Sequence, residues 1–252
     1  MIVEFIGCTG AGKTTLIKEV QRRLARKAEV AISFDLVAER MGVRGVTSRT
    51  AKNLIAELVG FPFFLRSLNR HKAYIVFALR MLARQATNST FFTINNLRSL
   101  ERKIGVYEIT RRADHNRIIL VDEGTVLSAH NIFVFTDAVY TREEIARFAG
   151  LVPLPDAILY IKAPVDILVQ RSLLRTDPPR EMKSKSPALV EKYVKRAVTV
   201  FDQLVEAENI QRRTLIVESP DLIDQRYGTL VDYLTEFILN YRPSHSWEQK
   251  TF

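Results

Sequence analysis

The chain has 252 residues, 47% of them hydrophobic, a formal net charge of +9 and a single cysteine, Cys8. That length and apolar share suffice for one sizeable core, and a lone cysteine excludes an internal disulfide or a cysteine-built zinc site. No apolar run approaches the roughly 20 residues that cross a bilayer. The apolar start has neither a basic leader nor a small-residue cleavage site, so a soluble, cytoplasmic protein with no membrane partner is expected.

Ile2–Ile6 is a short apolar run ending at Gly7, the pattern of a buried parallel strand. From Lys13 to Lys27 the spacing of Leu16, Ile17, Val20 and Leu24 predicts a helix with one apolar stripe. Ala28–Phe34 reads as a second strand that stops at Asp35. Residues 36–115 carry helical periods and no convincing strand, and Pro62 is expected to start or interrupt a helix there. Asn88-Ser89-Thr90 reads as the start of a helix running to about Arg112. Arg117–Val121 is the clearest strand, stopping at Asp122-Glu123-Gly124, and a short helix is expected through Phe135. Thr141 and Glu144 have capping-box spacing. Ala157–Ile161 is a fourth strand, and Pro164 opens the next helix. Residues 175–187 are polar and proline-rich, the composition of a mobile lid loop. A helix to about Asn209, a fifth strand at Thr214–Val217 and a last helix from Asp221 to about Asn240 complete the chain. Strands alternating with helices predict a three-layer α/β fold. Its five-stranded parallel sheet belongs to one domain, 1–252, with 36–115 as a helical insertion between strands 2 and 3.

Gly7-Cys8-Thr9-Gly10-Ala11-Gly12-Lys13-Thr14 fits the phosphate-loop pattern G-x-x-x-x-G-K-[ST] in full, between a strand and a helix. Gly7, Gly10 and Gly12 permit the turn and the close backbone approach that let amide groups surround a phosphate. The following helix adds its positive N-terminal end. Lys13 is expected to reach the β- and γ-phosphates and the Thr14 hydroxyl to ligand Mg²⁺, while Thr15 extends the polar helix start. ATP and Mg²⁺ are the expected cofactors, and the fold is that of the P-loop NTPases.

Such a protein also needs a carboxylate on a neighbouring strand end to hold Mg²⁺. Asp122 stands where it is expected, and Glu123 beside it is a candidate proton acceptor. Asp35, at the carboxyl edge of the second strand, is a candidate base or acceptor ligand, or simply a helix cap. Arg171, Arg175 and Arg180 are cations that can close over a transferring phosphoryl group. Arg171 and Arg175 have the i, i+4 spacing of one helix face.

These features resemble the P-loop kinases of small molecules, the group with thymidylate, deoxynucleoside and adenylate-type kinases. The resemblance covers the loop, Asp122-Glu123-Gly124, the Pro164–Arg171 helix with its lid, and the strand–helix ending. It leaves out residues 36–115. It implies nucleotide contacts from Arg171, Arg175 and Arg180, a base-side loop at Ser219-Pro220, and a homodimer. The chain departs from thymidylate kinases at Thr9, where they usually have an acid. It also departs at Phe34-Asp35-Leu36, where they have Arg-Glu-Pro, and at Asp122-Glu123, where they have Asp-Arg. Deoxynucleoside kinases usually place Glu-Arg-Ser at that third site. Phosphate chemistry carries over; thymidylate specificity does not.

The expected activity is transfer of the ATP γ-phosphate to a small nucleoside, nucleotide or sugar-like acceptor. A hydrolysing NTPase switch and a polynucleotide 5′-kinase are the alternatives. A charge excess of about +8 lies between residues 61 and 117, which fits a solvated basic face, a funnel for polyanions or, less favoured, a nucleic-acid surface. Arg80, Arg84, Arg98, Arg102, Arg111 and Arg112 are candidate acceptor ligands, and Phe91 and Phe92 candidate stacking groups. His71, His115 and His130 read as structural, and Glu101-Arg102-Lys103 as solvated helix surface.

Overall fold

A computed structural model describes residues 1–43, 45–46, 48–84, 90–113, 116–135, 138–176, 182, 186–218 and 226–241. Strands β1 (Ile2–Ile6), β2 (Val30–Ile32), β3 (Ile118–Val121), β4 (Ala157–Lys162) and β5 (Thr214–Glu218) form one sheet in the order β2-β3-β1-β4-β5. Every pairing is parallel. All of β1 and β3 and nearly all of β4 are buried. Helices cover both faces of the sheet, so these strands carry continuous apolar runs rather than alternation.

Right-handed crossovers dictate which face each helix takes. The chain moves one way from β1 to the edge strand β2, then the other way through β3, β4 and β5. Helix α1 (Lys13–Leu24) therefore lies on one face, where it packs on α9 (Arg226–Leu239). Helices α2 (Ser33–Arg40), α3 (Arg49–Ala83), α4 (Thr90–Thr110), α5 (Arg142–Leu151), α6 (Val165–Leu173), α7 (Pro187–Val205) and the short α8 (Glu208–Gln211) take the other. Leu16, Ile17, Val20 and Leu24 are buried as their spacing predicts. The Thr141–Glu144 capping box closes with both of its bonds, and Ser186 caps α7.

The departures from expectation concentrate in the insertion and at element ends. The second strand is only Val30–Ile32, because Ser33 already begins α2. Asp35 thus sits in the first turn of a helix, not at the end of a strand. The short helix after β3 is a 3₁₀ turn (Val126–Ser128) followed by a π turn (His130–Val134). Helix α3 runs unbroken through Pro62. The proline deprives the Leu58 carbonyl of its helical donor, but Leu58 and Pro62 are both exposed, so water can serve that carbonyl. Packing against α4 then outweighs the local preference. Gly60 and Gly105 make that packing close, since a Cβ on Gly105 would lie 2.5 Å from the Gly60 carbonyl oxygen.

Glu108 on α4 ties the hairpin together. It is fully buried; its carboxylate accepts bonds from His71 Nε2 at 2.9 Å and Arg70 Nη1 at 3.2 Å and is ion-paired with Arg112, whose Nη1 donates to the Glu108 carbonyl at 3.0 Å. Burial pushes its carboxyl up, but the His71 bond and the charges of Arg111 and Arg112 outweigh that and hold it below the usual range. Arg111 and Arg112 therefore serve the insertion's own core. Arg84 is likewise bound to Glu144, and Arg98 holds Glu57 with two 2.7 Å bonds. The side chains of Phe91 and Phe92, and all of His115, lie outside the described residues.

Candidate functional site

The loop after β1 is held in a conformation that its glycines alone can adopt. Gly7, Gly10 and Gly12 have φ values of 135°, 87° and 83°. A Cβ at Gly7 would stand 2.4 Å from the Ile161 carbonyl oxygen, and one at Gly10 2.9 Å from that of Leu168. Helix α1 begins at Lys13 with Gly12, which has no side chain to bond the first amides, as its N-cap. Those N–H groups are left for an anion. Lys13 Nζ folds back over the loop and donates to the carbonyls of Gly7 at 2.9 Å and Cys8 at 3.0 Å. Burial lowers the pKa of Lys13, and the charge of Asp122 is the main influence against that. The Cys8 thiol is buried and pushed up to about 12, so it stays protonated. Thr9 and Ala11 are buried in the loop wall, and Thr15 is exposed on the first turn of α1.

Sheet register explains why the acidic element meets this loop. Glu4 of β1 is aligned with Val121 of β3, so Asp122 emerges beside the loop that follows β1. The Thr14 hydroxyl donates to Asp122 Oδ2 at 2.9 Å. Glu123 is exposed on one side and pairs with Arg102 at 3.5 Å. Asp35 is exposed and lies one strand further out, on the element after the edge strand β2.

The third side comes from the segment after β4. Arg171 Nη1 reaches the Gly10 carbonyl at 3.5 Å and Ser172 Oγ the Thr9 carbonyl at 3.3 Å. Helix α6 ends at Leu173, so Arg175 does not share a helix face with Arg171, contrary to the spacing argument. Its charge nevertheless acts on Lys13. Arg180, most of the expected lid and Ser219-Pro220 lie outside the described residues.

Glu4 escaped the sequence reading, and Lys103 was misread. Lys103 is not solvated surface; only 5% of it is exposed. Its ammonium donates to Asn131 Oδ1 at 3.1 Å, and Asn131 in turn donates to Asn96. Burial lowers its pKa, while Glu123 and Glu4 pull it back up. A usable signal existed, since Lys103 falls on the same buried stripe of α4 as Leu100 and Ile104. Glu4, a charge inside an apolar strand, is fully buried; burial pushes its carboxyl well up, although it accepts the Val126 and Leu127 amides. His130 Nε2 is shielded from solvent and has no hydrogen-bond partner among the described residues. Burial, then the charges of Lys13 and Lys103, hold its pKa down to about 3, so the ring is neutral.

Glu101, half-buried next to Arg102, has its carboxyl raised to about 7 by burial and then by Glu57. A carboxyl whose folded pKa exceeds its unfolded value contributes fully below the unfolded value, and loses that contribution as pH rises through the folded one. Glu101→Gln is therefore expected to melt with the wild type near pH 4 and several degrees above it at pH 8. Thermal melts across that range check this, and a difference independent of pH refutes it.

No family model matches the chain, and neither does any curated protein. Among solved structures it is similar to a shikimate kinase from Bacteroides thetaiotaomicron, at 12% identity and a TM-score of 0.46 over 95% of this chain and 98% of that one. It is also similar to a shikimate kinase from Acinetobacter baumannii in complex with shikimate, at 14% identity and a TM-score of 0.44 over 94% and 92%. These likenesses are of fold.

Proposed function

We propose that the chain is an ATP- and Mg²⁺-dependent phosphotransferase acting on a small acceptor. The observation that carries this is the 2.9 Å bond from Thr14 to Asp122 with Lys13 beside it. It unites a glycine-built anion cradle, a cation and a hydroxyl–carboxylate pair at one sheet edge. The pair fits Mg²⁺, a hard cation that takes oxygen ligands, keeps several waters and needs only one or two protein groups. When bound, the ion supplies charge to the phosphate oxygens. The loop amides and Lys13 hold the β- and γ-phosphates, and Arg171 and Arg175 add positive charge from the α6 side.

The acceptor enters on the side of the Glu123–Arg102 pair, behind which the buried Lys103 ammonium lies. Its hydroxyl or phosphate oxygen attacks the γ-phosphorus, the bond to the β–γ bridging oxygen breaks, and a hydroxyl proton passes to Glu123. Two cations there favour an anionic or strongly polar acceptor: a nucleoside, nucleotide or sugar-like molecule. The test is transfer of labelled γ-phosphate across those three classes. Label released only as free phosphate rejects the reading and favours a hydrolysing NTPase, in which Glu123 would orient water.

Lys103→Met is expected to raise the KM for the acceptor about tenfold and to leave the KM for ATP within about twofold. Steady-state kinetics with each substrate varied separates the two. An equal rise in both would place Lys103 on the nucleotide instead.

A further inference from the structure

Helix α3 carries an apolar seam that nothing among the described residues covers. Leu54, Leu58, Phe61, Leu65, Leu68, Val76 and Leu79 are all at least 36% exposed, with Leu58 at 59%. From Leu54 to Leu68 the steps alternate four and three residues, the repeat of a helix-on-helix seam. At 1.5 Å per residue the seam is about 37 Å long. It exposes on the order of 500 Å² of apolar side chain, near the upper end for a monomer.

We infer that this seam pairs two copies of the chain about a two-fold axis. Its width argues for a helix as occupant. At about 100° per residue the exposed apolar positions span only ~80° of arc, narrower than the face a helix lays on a globular core or a lipid surface. Lys72 lies in the middle of the seam and is exposed. That disfavours burial in lipid but suits a two-fold. The seam from Leu54 to Leu79 has its midpoint between Leu65 and Leu68. An antiparallel pairing about that point sets Leu65 against Leu68 of the partner subunit and Leu54 against Leu79 of the partner subunit. It also sets Lys72 against Phe61 of the partner subunit, where the ammonium can lie over the ring. Each of these contacts occurs twice, as an isologous interface requires. With the stems of the flanking Arg66 and Arg80, the buried area approaches the roughly 800 Å² per partner of a stable complex.

The test is sedimentation equilibrium of the full chain. The wild type is expected at twice its 28.9 kDa mass. Leu65→Arg and Leu58→Arg change exposed residues, so each should keep its circular dichroism and melting point while its dimer dissociation constant rises about a hundredfold. Leu65→Cys supplies an accessible thiol beside the axis, because Cys8 is buried. A short bis-maleimide should cross-link it covalently into dimers, whereas Val139→Cys, on a residue 80% exposed elsewhere, should dimerise without being cross-linked. A wild type that stays monomeric at tens of micromolar overturns the inference. So does a dimer indifferent to both arginines, or a seam whose only measurable partner is phosphatidylserine vesicles.

Discussion

Lys13→Ala is expected to reduce phosphoryl transfer by about 10³-fold or more, the scale on which removing one preorganised charge-stabilising group acts. The reason is local. The Lys13 ammonium is anchored by two loop carbonyls at 2.9 and 3.0 Å. A triphosphate tail that enters the cradle meets a cation already in place. Burial of that cation disfavours its charged form in the free protein, so the substitution should not unfold the chain. A melting point at or above the wild type's, together with lost transfer, is the expected pair of results. Affinity for magnesium-bound ATP, read by calorimetry, should fall as well. A Lys13→Ala protein that transfers phosphate at the wild-type rate removes the basis of the functional proposal.

The sheet and the phosphate loop were legible in the sequence for one physical reason. Buried parallel strands need apolar runs, and Ile118–Val121, Ala157–Ile161 and Ile2–Ile6, the last interrupted only by Glu4, show them. Gly7, Gly10 and Gly12 announce dihedrals that other residues resist. Asp122 could be placed because strand ends of a parallel sheet share one edge. What failed depended on tertiary contacts. Pro62 breaks helices in isolation, yet here the helix is held by α4 and the freed carbonyl faces water. Lys103 carries a charge, and charges read as surface until the buried stripe around them is traced. Arg175 has helical spacing from Arg171, but nothing local marks Leu173 as the last helical residue. Asp35 followed a run that looked like strand, but its last two residues, Ser33 and Phe34, belong to α2, because they suit either state.

Asp122→Asn separates the ion from the loop. Asparagine keeps an oxygen to accept the Thr14 hydroxyl bond, now 2.9 Å, so the geometry of the strand end should survive. What disappears is the negative charge. Mg²⁺ favours charged, hard oxygen ligands, so the magnesium concentration for half-maximal rate should rise at least about tenfold. The rate at saturation should fall about 10²-fold, since loss of one electrostatic group in a transfer site acts on that scale. Asp122 is also the largest influence keeping Lys13 charged. Its loss should therefore move the lower limb of the pH–rate profile little and bring the upper limb, where Lys13 loses its proton, to lower pH. Lys13→Ala should keep its loss of about 10³-fold at every pH and every magnesium concentration, whereas Asp122→Asn should leave a larger residual rate that added magnesium partly restores. A variant whose rate is lost without any change in magnesium dependence would show that Asp122 acts on the fold of the loop rather than on the ion.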